Sequence, residues 1–127
     1  MDKKTMLKIL QAQTVMVWDT LCEIYTPLVH YNEPTLELNP YIWRMAGCCH
    51  QEENRIQMGY KFLKYSPEYY NYMLQIILPH EIIHQADYNL FGDSEKSCGH
   101  GKNWQKMMLE YGLPANPYHT MEIPKNA

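Results

Sequence analysis

The segment from Ser66 to Phe91 has the features of one long helix, and it constrains the fold more than any other stretch. Ser66 is a suitable N-cap, Pro67 suits the first helical position, and the glutamate after it is favourable near the positive end of the helix dipole. The glycine after Phe91 can end the helix. Pro79 removes one backbone hydrogen bond and therefore predicts a kink just before His80. A second helix that begins near Pro79 is the alternative.

An apolar stripe that contains two histidines runs along one face of this predicted helix. Its members recur at helical spacing: Tyr69, Met73, Ile76, His80, His84 and Tyr88. Residues four apart share a face, so His80 and His84 can bind one ion together. Glu81 is rotated one step around the helix, where its carboxylate can take a proton from a metal-activated water. Because unpaired imidazoles are costly on an apolar face, the sequence HEIIH predicts a zinc centre.

A catalytic zinc ion needs a third protein ligand, and the candidates downstream are Asp87, Glu95, Cys98 and His100. Asp87 lies about 10.5 Å along the helix from His80, which is too far for both to bind one ion. It is a candidate for a hydrogen bond to a ligand histidine instead. His100 is favoured over Cys98, because the glycines on both sides of it let the backbone turn sharply. Three histidines and a water would form an open site of the catalytic type.

The remaining segments predict an α+β fold. Apolar residues at helical spacing indicate a helix from Thr5 to about Tyr25. Three short segments alternate between apolar and polar residues and are predicted strands, at positions 35–38, 41–47 and 55–62. The polar sequence HQEEN is a predicted hairpin turn, and KNWQKMMLEY is a predicted last helix. Residues 1–127 are therefore expected to form a single domain, in which a small three-stranded antiparallel sheet packs on helices that include the HEIIH helix.

The composition and charge of the sequence limit which cellular compartments and binding partners are expected. The 127 residues carry a net charge of −3, which argues against a strong general affinity for nucleic acid. The four cysteines form no CxxC pair and are expected to be free thiols in a reducing compartment. The N-terminus lacks the apolar stretch of a signal peptide, and no run reaches membrane-spanning length. We therefore expect a cytoplasmic protein without a membrane partner.

The combination of HEIIH with GHGKNW and the following methionine pair resembles the SprT-like family of zinc metallopeptidases, which includes bacterial SprT and the Spartan proteases. The similarity extends over residues 36–119. It implies a minimal zincin-like metalloprotease domain, with His80, His84 and His100 as the ligands of one zinc ion and Glu81 as general base. It also implies a protein or peptide substrate and, in the Spartan branch, action on DNA-crosslinked proteins. Family members commonly carry a C-terminal cysteine zinc ribbon, whereas no cysteine follows Cys98 in this sequence, and its acidic charge does not support DNA binding.

Peptide hydrolysis is thus the leading functional hypothesis, and two alternatives are open. One is a non-catalytic, zinc-bound interaction module, and the other is a DNA-associated protease that acts on DNA-bound proteins. Tyr118 and His119 are candidates for stabilising the oxyanion. An exposed edge strand near Arg55–Tyr60 is a candidate for holding an extended substrate. Trp104 and Met107–Met108 are expected in the core beneath the site.

Overall fold

The structure, a computed structural model, describes residues 1–92, 100–116 and 122–124. In chain order its elements are α1 (Lys3–Ile24), β1 (Thr35–Asn39), β2 (Gly47–His50), β3 (Arg55–Gly59), α2 (Tyr60–Leu63), α3 (Pro67–Tyr72), α4 (Leu78–Phe91) and α5 (Lys102–Tyr111). Short 3-10 helices occupy Thr26–His30 and Gln51–Glu53, and a π-helical turn at Met73–Ile77 joins α3 to α4. The predicted α+β class is confirmed.

The three strands form a mixed sheet in the order β1–β3–β2. β3 pairs antiparallel with β2, where Cys49 lies opposite Ile56, and parallel with β1, where Leu36 lies opposite Ile56. The predicted antiparallel sheet is therefore correct in strand number and wrong for the β1–β3 pair. Residues 40–54 carry the chain from one edge of the sheet to the other before β3 enters between the two edge strands. A connection of this length allows a parallel pair, which a tight hairpin does not.

The loop before β2 is irregular, although its alternating residues predict a strand. Tyr41, Trp43 and Met45, which were expected on one sheet face, are exposed. The Asn39 side chain starts the change of direction, because its Oδ1 accepts a hydrogen bond from the backbone N–H of Tyr41. The Arg44 guanidinium lies 4.7 Å from the centre of the Trp43 ring and covers it in place of a neighbouring strand. The second strand therefore begins only at residue 47.

The polar sequence HQEEN is confirmed as the turn between two antiparallel strands. It forms the 3-10 helix Gln51–Glu53, and Asn54 follows in the left-handed conformation with φ of 52°. The Asn54 side-chain amide donates hydrogen bonds to the carbonyls of Asn32 and Glu33 at 3.2 and 3.3 Å. These bonds hold the turn against the residues before β1, and the turn brings Gln51 next to α4.

The predicted helix that begins at Ser66 is confirmed, but it consists of three helical segments. The Ser66 hydroxyl accepts a hydrogen bond from the backbone N–H of Tyr69 at 3.1 Å, and Pro67 occupies the first turn. The π turn lies just before Pro79, and the backbone N–H of Leu78 donates to the carbonyl of Met73. A widened turn accommodates a proline ring that would collide with a regular helix. The predicted interruption near Pro79 is thus a π turn, after which α4 begins.

The π turn also changes which residues of the predicted stripe face the core. Met73 and Ile77 are buried, whereas Ile76 is half-buried, because a π turn takes up an extra residue and rotates the upstream helix. α4 packs against α1, β2 and α5, so it is held on several sides. Ile82 and Ile83 are fully buried, and burial of each contributes about 1.5–3 kcal/mol. The histidines therefore lie on one of the best-anchored helices of the fold.

The first and last helices complete the support of α4. α1 begins after Asp2, whose carboxylate accepts a hydrogen bond from the backbone N–H of Thr5 at 2.7 Å. Its buried apolar residues are Met6, Leu10, Val17, Trp18 and Leu21. The Tyr25 hydroxyl donates to the Glu110 carboxylate at 2.6 Å and joins the end of α1 to α5. None of the described helices is both long and apolar enough to cross a membrane.

Candidate metal centre

His80 and His84 on α4 meet His100, which precedes α5, and the three side chains form one cluster. Their candidate ligand atoms all lie within 4.8 Å of one another. The Nε2 atom of His80 is 3.1 Å from that of His84 and 3.2 Å from that of His100. Two nitrogens bound to one tetrahedral zinc ion at about 2.0–2.1 Å lie about 3.3–3.4 Å apart. Both distances from His80 are close to this value, so the cluster could hold a metal ion.

The protonation of the cluster also suits a metal ion. Burial, together with the neighbouring imidazoles of His80 and His100, lowers the pKa of His84 to about 3. Burial also lowers the pKa of His100. Histidine binds metals in its neutral form, with a free lone pair. His84 and His100 are therefore neutral at neutral pH and available as ligands.

Trp104 on α5 forms the floor beneath all three histidines. Its indole ring is fully buried. The ring centre lies 4.7 Å from that of His80, 5.1 Å from that of His84 and 4.7 Å from that of His100. Its Nε1–H donates to the backbone carbonyl of His80 at 3.4 Å. The predicted position of Trp104 beneath the site is confirmed, and Met107–Met108 are buried with it.

Glu81 lies beside the histidines without joining their cluster. Only 8% of the residue is exposed, and burial raises its pKa to about 8. Its Oε2 atom is 4.0 Å from the Nε2 atom of His80. Gly47 on β2 packs against it so closely that a Cβ atom at that position would lie 3.2 Å from the Glu81 Cγ atom. A small residue on the edge strand therefore leaves room for the carboxyl side chain.

Hydrogen bonds tie α4 to β2 and to the turn after it. The Gln51 side chain donates to the carbonyl of His84 at 3.4 Å. The Gln85 amide donates to the carbonyl of Gln51 at 3.0 Å and accepts from the Cys49 thiol at 3.4 Å. Sequence reasoning missed these contacts, and it missed Gly47. Gln85 lies next to the motif in sequence, but the other residues are more than thirty positions away and carry no local signal.

Asp87 is a buried carboxyl group outside the cluster. Its exclusion as a metal ligand agrees with the structure, because the three histidines assemble without it. Burial raises its pKa to about 6, and its Oδ1 atom has no hydrogen-bond partner within the described ranges. Among the described residues no hydrogen bond joins Asp87 to a histidine, so the expected contact with a ligand is not found. The alternative ligands Glu95 and Cys98, and the oxyanion candidates Tyr118 and His119, lie outside the described residues.

The fold and the site define an α+β protein with a candidate metal centre on an HExxH helix. Residues 21–121 match the sequence model of the SprT-like family, and this match covers most of the chain. The protein therefore belongs to the SprT-like family.

Individual members of the family are similar over the same region. Protein SprT of Glaesserella parasuis is 33% identical over 95 residues, which is 74% of this chain and 56% of that protein. Protein SprT of Pseudomonas putida is 32% identical over 83 residues, or 65% and 48% of the two chains. Protein SprT of Shewanella oneidensis is 31% identical over 80 residues, or 62% and 47%. The chain thus spans about half the length of the curated relatives it matches, and no solved structure matches it significantly.

Proposed function

We propose that the protein is a zinc-dependent metallopeptidase that hydrolyses peptide bonds. The proposal rests on one arrangement: three clustered imidazoles that can share an ion, beside a buried carboxyl group of Glu81 that is not one of the ligands. A structural zinc site is closed by four protein ligands and needs no base, whereas a hydrolytic site keeps one position open next to a base. Membership of the SprT-like family supports the same function.

In this proposal His80, His84 and His100 hold the ion through their Nε2 atoms. A bound zinc ion supplies Lewis acidity, which lowers the pKa of water towards neutrality and polarises the scissile carbonyl. Glu81 accepts the proton of the attacking water and later donates it to the leaving amine. Trp104 positions the ligands, because it contacts all three rings from below.

The environment of Glu81 makes the base depend on the ion. Burial alone raises its pKa to about 8, so the carboxyl group is mostly protonated at neutral pH in the metal-free protein. A divalent cation held by the histidines attracts the carboxylate and lowers this pKa. Binding of the ion would therefore increase the fraction of Glu81 that is ionised and able to act as a base.

We propose that β2 is the strand with which an extended substrate pairs. The expected site near Arg55–Tyr60 is wrong, because β3 pairs on both sides and offers no free edge. β2 lies at one edge of the described sheet, and its Gly47 contacts Glu81. An extended peptide that pairs with the free edge of β2 would run past the carboxyl group of Glu81.

The test is cleavage of an unfolded protein substrate, with zinc content measured in parallel. Glu81→Gln should keep zinc and lose about 10²- to 10⁴-fold in kcat, because general acid–base catalysis is worth that much. Glu52→Gln is the matched control, since Glu52 is an exposed acid on the turn after β2. Proteolysis at the wild-type rate by zinc-loaded Glu81→Gln would contradict the mechanism.

Two alternatives are separated by the same assay. A non-catalytic zinc-bound module would carry zinc without cleaving any substrate. A DNA-associated protease would be stimulated by single-stranded DNA, whereas the net charge of −3 leads us to expect no stimulation.

A further inference from the structure

A cavity of about 190 Å³ opens beside the metal centre. Its walls come from the end of α3, the π turn, α4, α5 and the segment after α5. The cavity is lined by Tyr72, Ile76, Ile77, His80, Met108 and Pro114. Asn116 also lines it, so its polar groups are an amide, a phenol and an imidazole. The described lining contains no carboxylate, ammonium or guanidinium group.

The cavity shares residues with the reaction centre. His80 is both a wall of the cavity and a candidate metal ligand, so a group held at the ion would lie next to this space. Ile77, which lines the cavity, also packs against β2, since its Cγ2 atom would lie 3.3 Å from a Cβ atom at Gly47. The cavity therefore borders one candidate ligand directly and approaches β2 through Ile77.

We propose that this cavity binds an apolar side chain of the substrate, on a residue that flanks the scissile bond. The inference rests on the proposed peptidase function and adds a substrate class to it. An apolar cavity of about 150 Å³ accepts a benzene molecule, so the space suits a side chain of the size of leucine, methionine or phenylalanine. A charged side chain would lose its water without gaining an ionic partner from the described lining and is therefore disfavoured.

The expected preference follows from burial of apolar groups. A leucine side chain buries three more carbons than alanine, and each contributes a factor of about four, so leucine is favoured by about 10- to 100-fold in kcat/KM. Ile76 is the residue to vary, because it is half-buried and is neither a ligand nor the base. Ile76→Trp should fill the cavity, and Ile76→Ala should enlarge it. Ile9→Trp is the control, since Ile9 lies on α1 with 37% of its surface exposed.

The experiment is digestion of a peptide library by the zinc-loaded full chain, with the cleaved bonds identified by mass spectrometry. We expect leucine, methionine and phenylalanine to be enriched at one flanking position. Ile76→Trp should reduce the ratio of leucine to alanine at that position at least tenfold, and Ile76→Ala should move the preference towards larger side chains. The Ile9→Trp variant should show the wild-type ratio. Cleavage without apolar enrichment, or enrichment that neither Ile76 variant changes, would overturn the inference.

A binding measurement separates this inference from the peptidase proposal. Calorimetry on zinc-loaded Glu81→Gln would compare blocked tripeptides with a central leucine, alanine or aspartate. We expect the leucine peptide to bind best and Ile76→Trp to remove its advantage. If the leucine peptide binds best but the wild-type protein cleaves no substrate, the peptidase function is refuted and the side-chain cavity is supported. Equal affinities for all three peptides would overturn the cavity assignment.

Discussion

The buried carboxyl group of Glu81 makes a quantitative prediction for the metal-free protein. Its pKa is about 8 in the folded chain, because burial disfavours the charged form, against an ordinary value of 4.5. The folded state therefore binds this proton more tightly than the unfolded state. The stability from this group is complete below pH 4.5, falls as the pH rises, and is lost above about 8.

The size of the effect follows from proton linkage. Between pH 6.5 and 8.0 the unfolded glutamate is ionised while the folded one is still mostly protonated. Integration over this window gives a loss of about 2 kcal/mol in the free energy of unfolding. His84 and His100 act in the opposite direction, because their pKa values are lowered by folding. Their contribution is common to wild type and Glu81→Gln and cancels in the difference between the two proteins.

Urea unfolding followed by tryptophan fluorescence, with a chelator present, measures this difference. Wild type should lose about 2 kcal/mol more than Glu81→Gln between pH 6.5 and 8.0. Glu52→Gln, which changes an exposed carboxylate, should behave as wild type. Saturating zinc should reduce the excess loss, because the cation lowers the pKa of the carboxyl group. Identical pH dependence in metal-free wild type and Glu81→Gln would refute the buried, protonated state of Glu81.

Three further substitutions test the support of the site. His100→Ala should weaken zinc binding more than about 100-fold in chelator competition. Removal of a residue that only hydrogen-bonds a metal ligand costs about 10- to 100-fold in affinity, and removal of a ligand itself should cost more. Trp104→Ala should lower the free energy of unfolding by about 3–5 kcal/mol in urea titrations. The control Leu109→Ala, on the exposed side of α5, should change it by about 0.5 kcal/mol at most. Gly47→Ala should lower kcat at unchanged zinc content, since the new Cβ atom would press on the Glu81 side chain. A wild-type kcat in this variant would argue against close packing of Gly47 on Glu81.

Local patterns predicted the parts of the structure that local physics decides. Ser66 and Pro67 start a helix through one side-chain hydrogen bond and one restricted dihedral angle, and both effects act within a single turn. The spacing of His80 and His84 predicts their common face for the same reason. The prediction of a turn before β3 was also correct, because polar residues favour a bend whichever strands pair on either side of it.

The errors concern partners that are distant in sequence. The alternation at Tyr41, Trp43 and Met45 looks like a strand, but no strand in the described part of the chain covers these residues, and they are exposed. The parallel pairing of β1 with β3 depends on where β2 docks, which a period of two does not encode. The contact of Gly47 with Glu81 arises only after the sheet has packed on α4.

The burial of the site was predicted in part. An apolar stripe around the histidines indicated that they face inward, and His84 is indeed buried. The stripe did not predict the π turn, which rotates Ile76 away from full burial, because a helical pattern assumes a constant number of residues per turn. Trp104 was correctly expected beneath the site, but its contact with all three imidazole rings was not predicted, since it depends on how α5 packs against α4.

X-ray absorption spectroscopy of the zinc-loaded protein tests the central claim most directly. An open centre built by His80, His84 and His100 predicts three imidazole nitrogens and one oxygen at about 2.0–2.1 Å, with no sulfur ligand. His100→Ala should remove one imidazole from the spectrum. Sulfur scattering at about 2.3 Å, or a fourth protein ligand in place of the oxygen, would contradict the catalytic centre and favour a closed structural site.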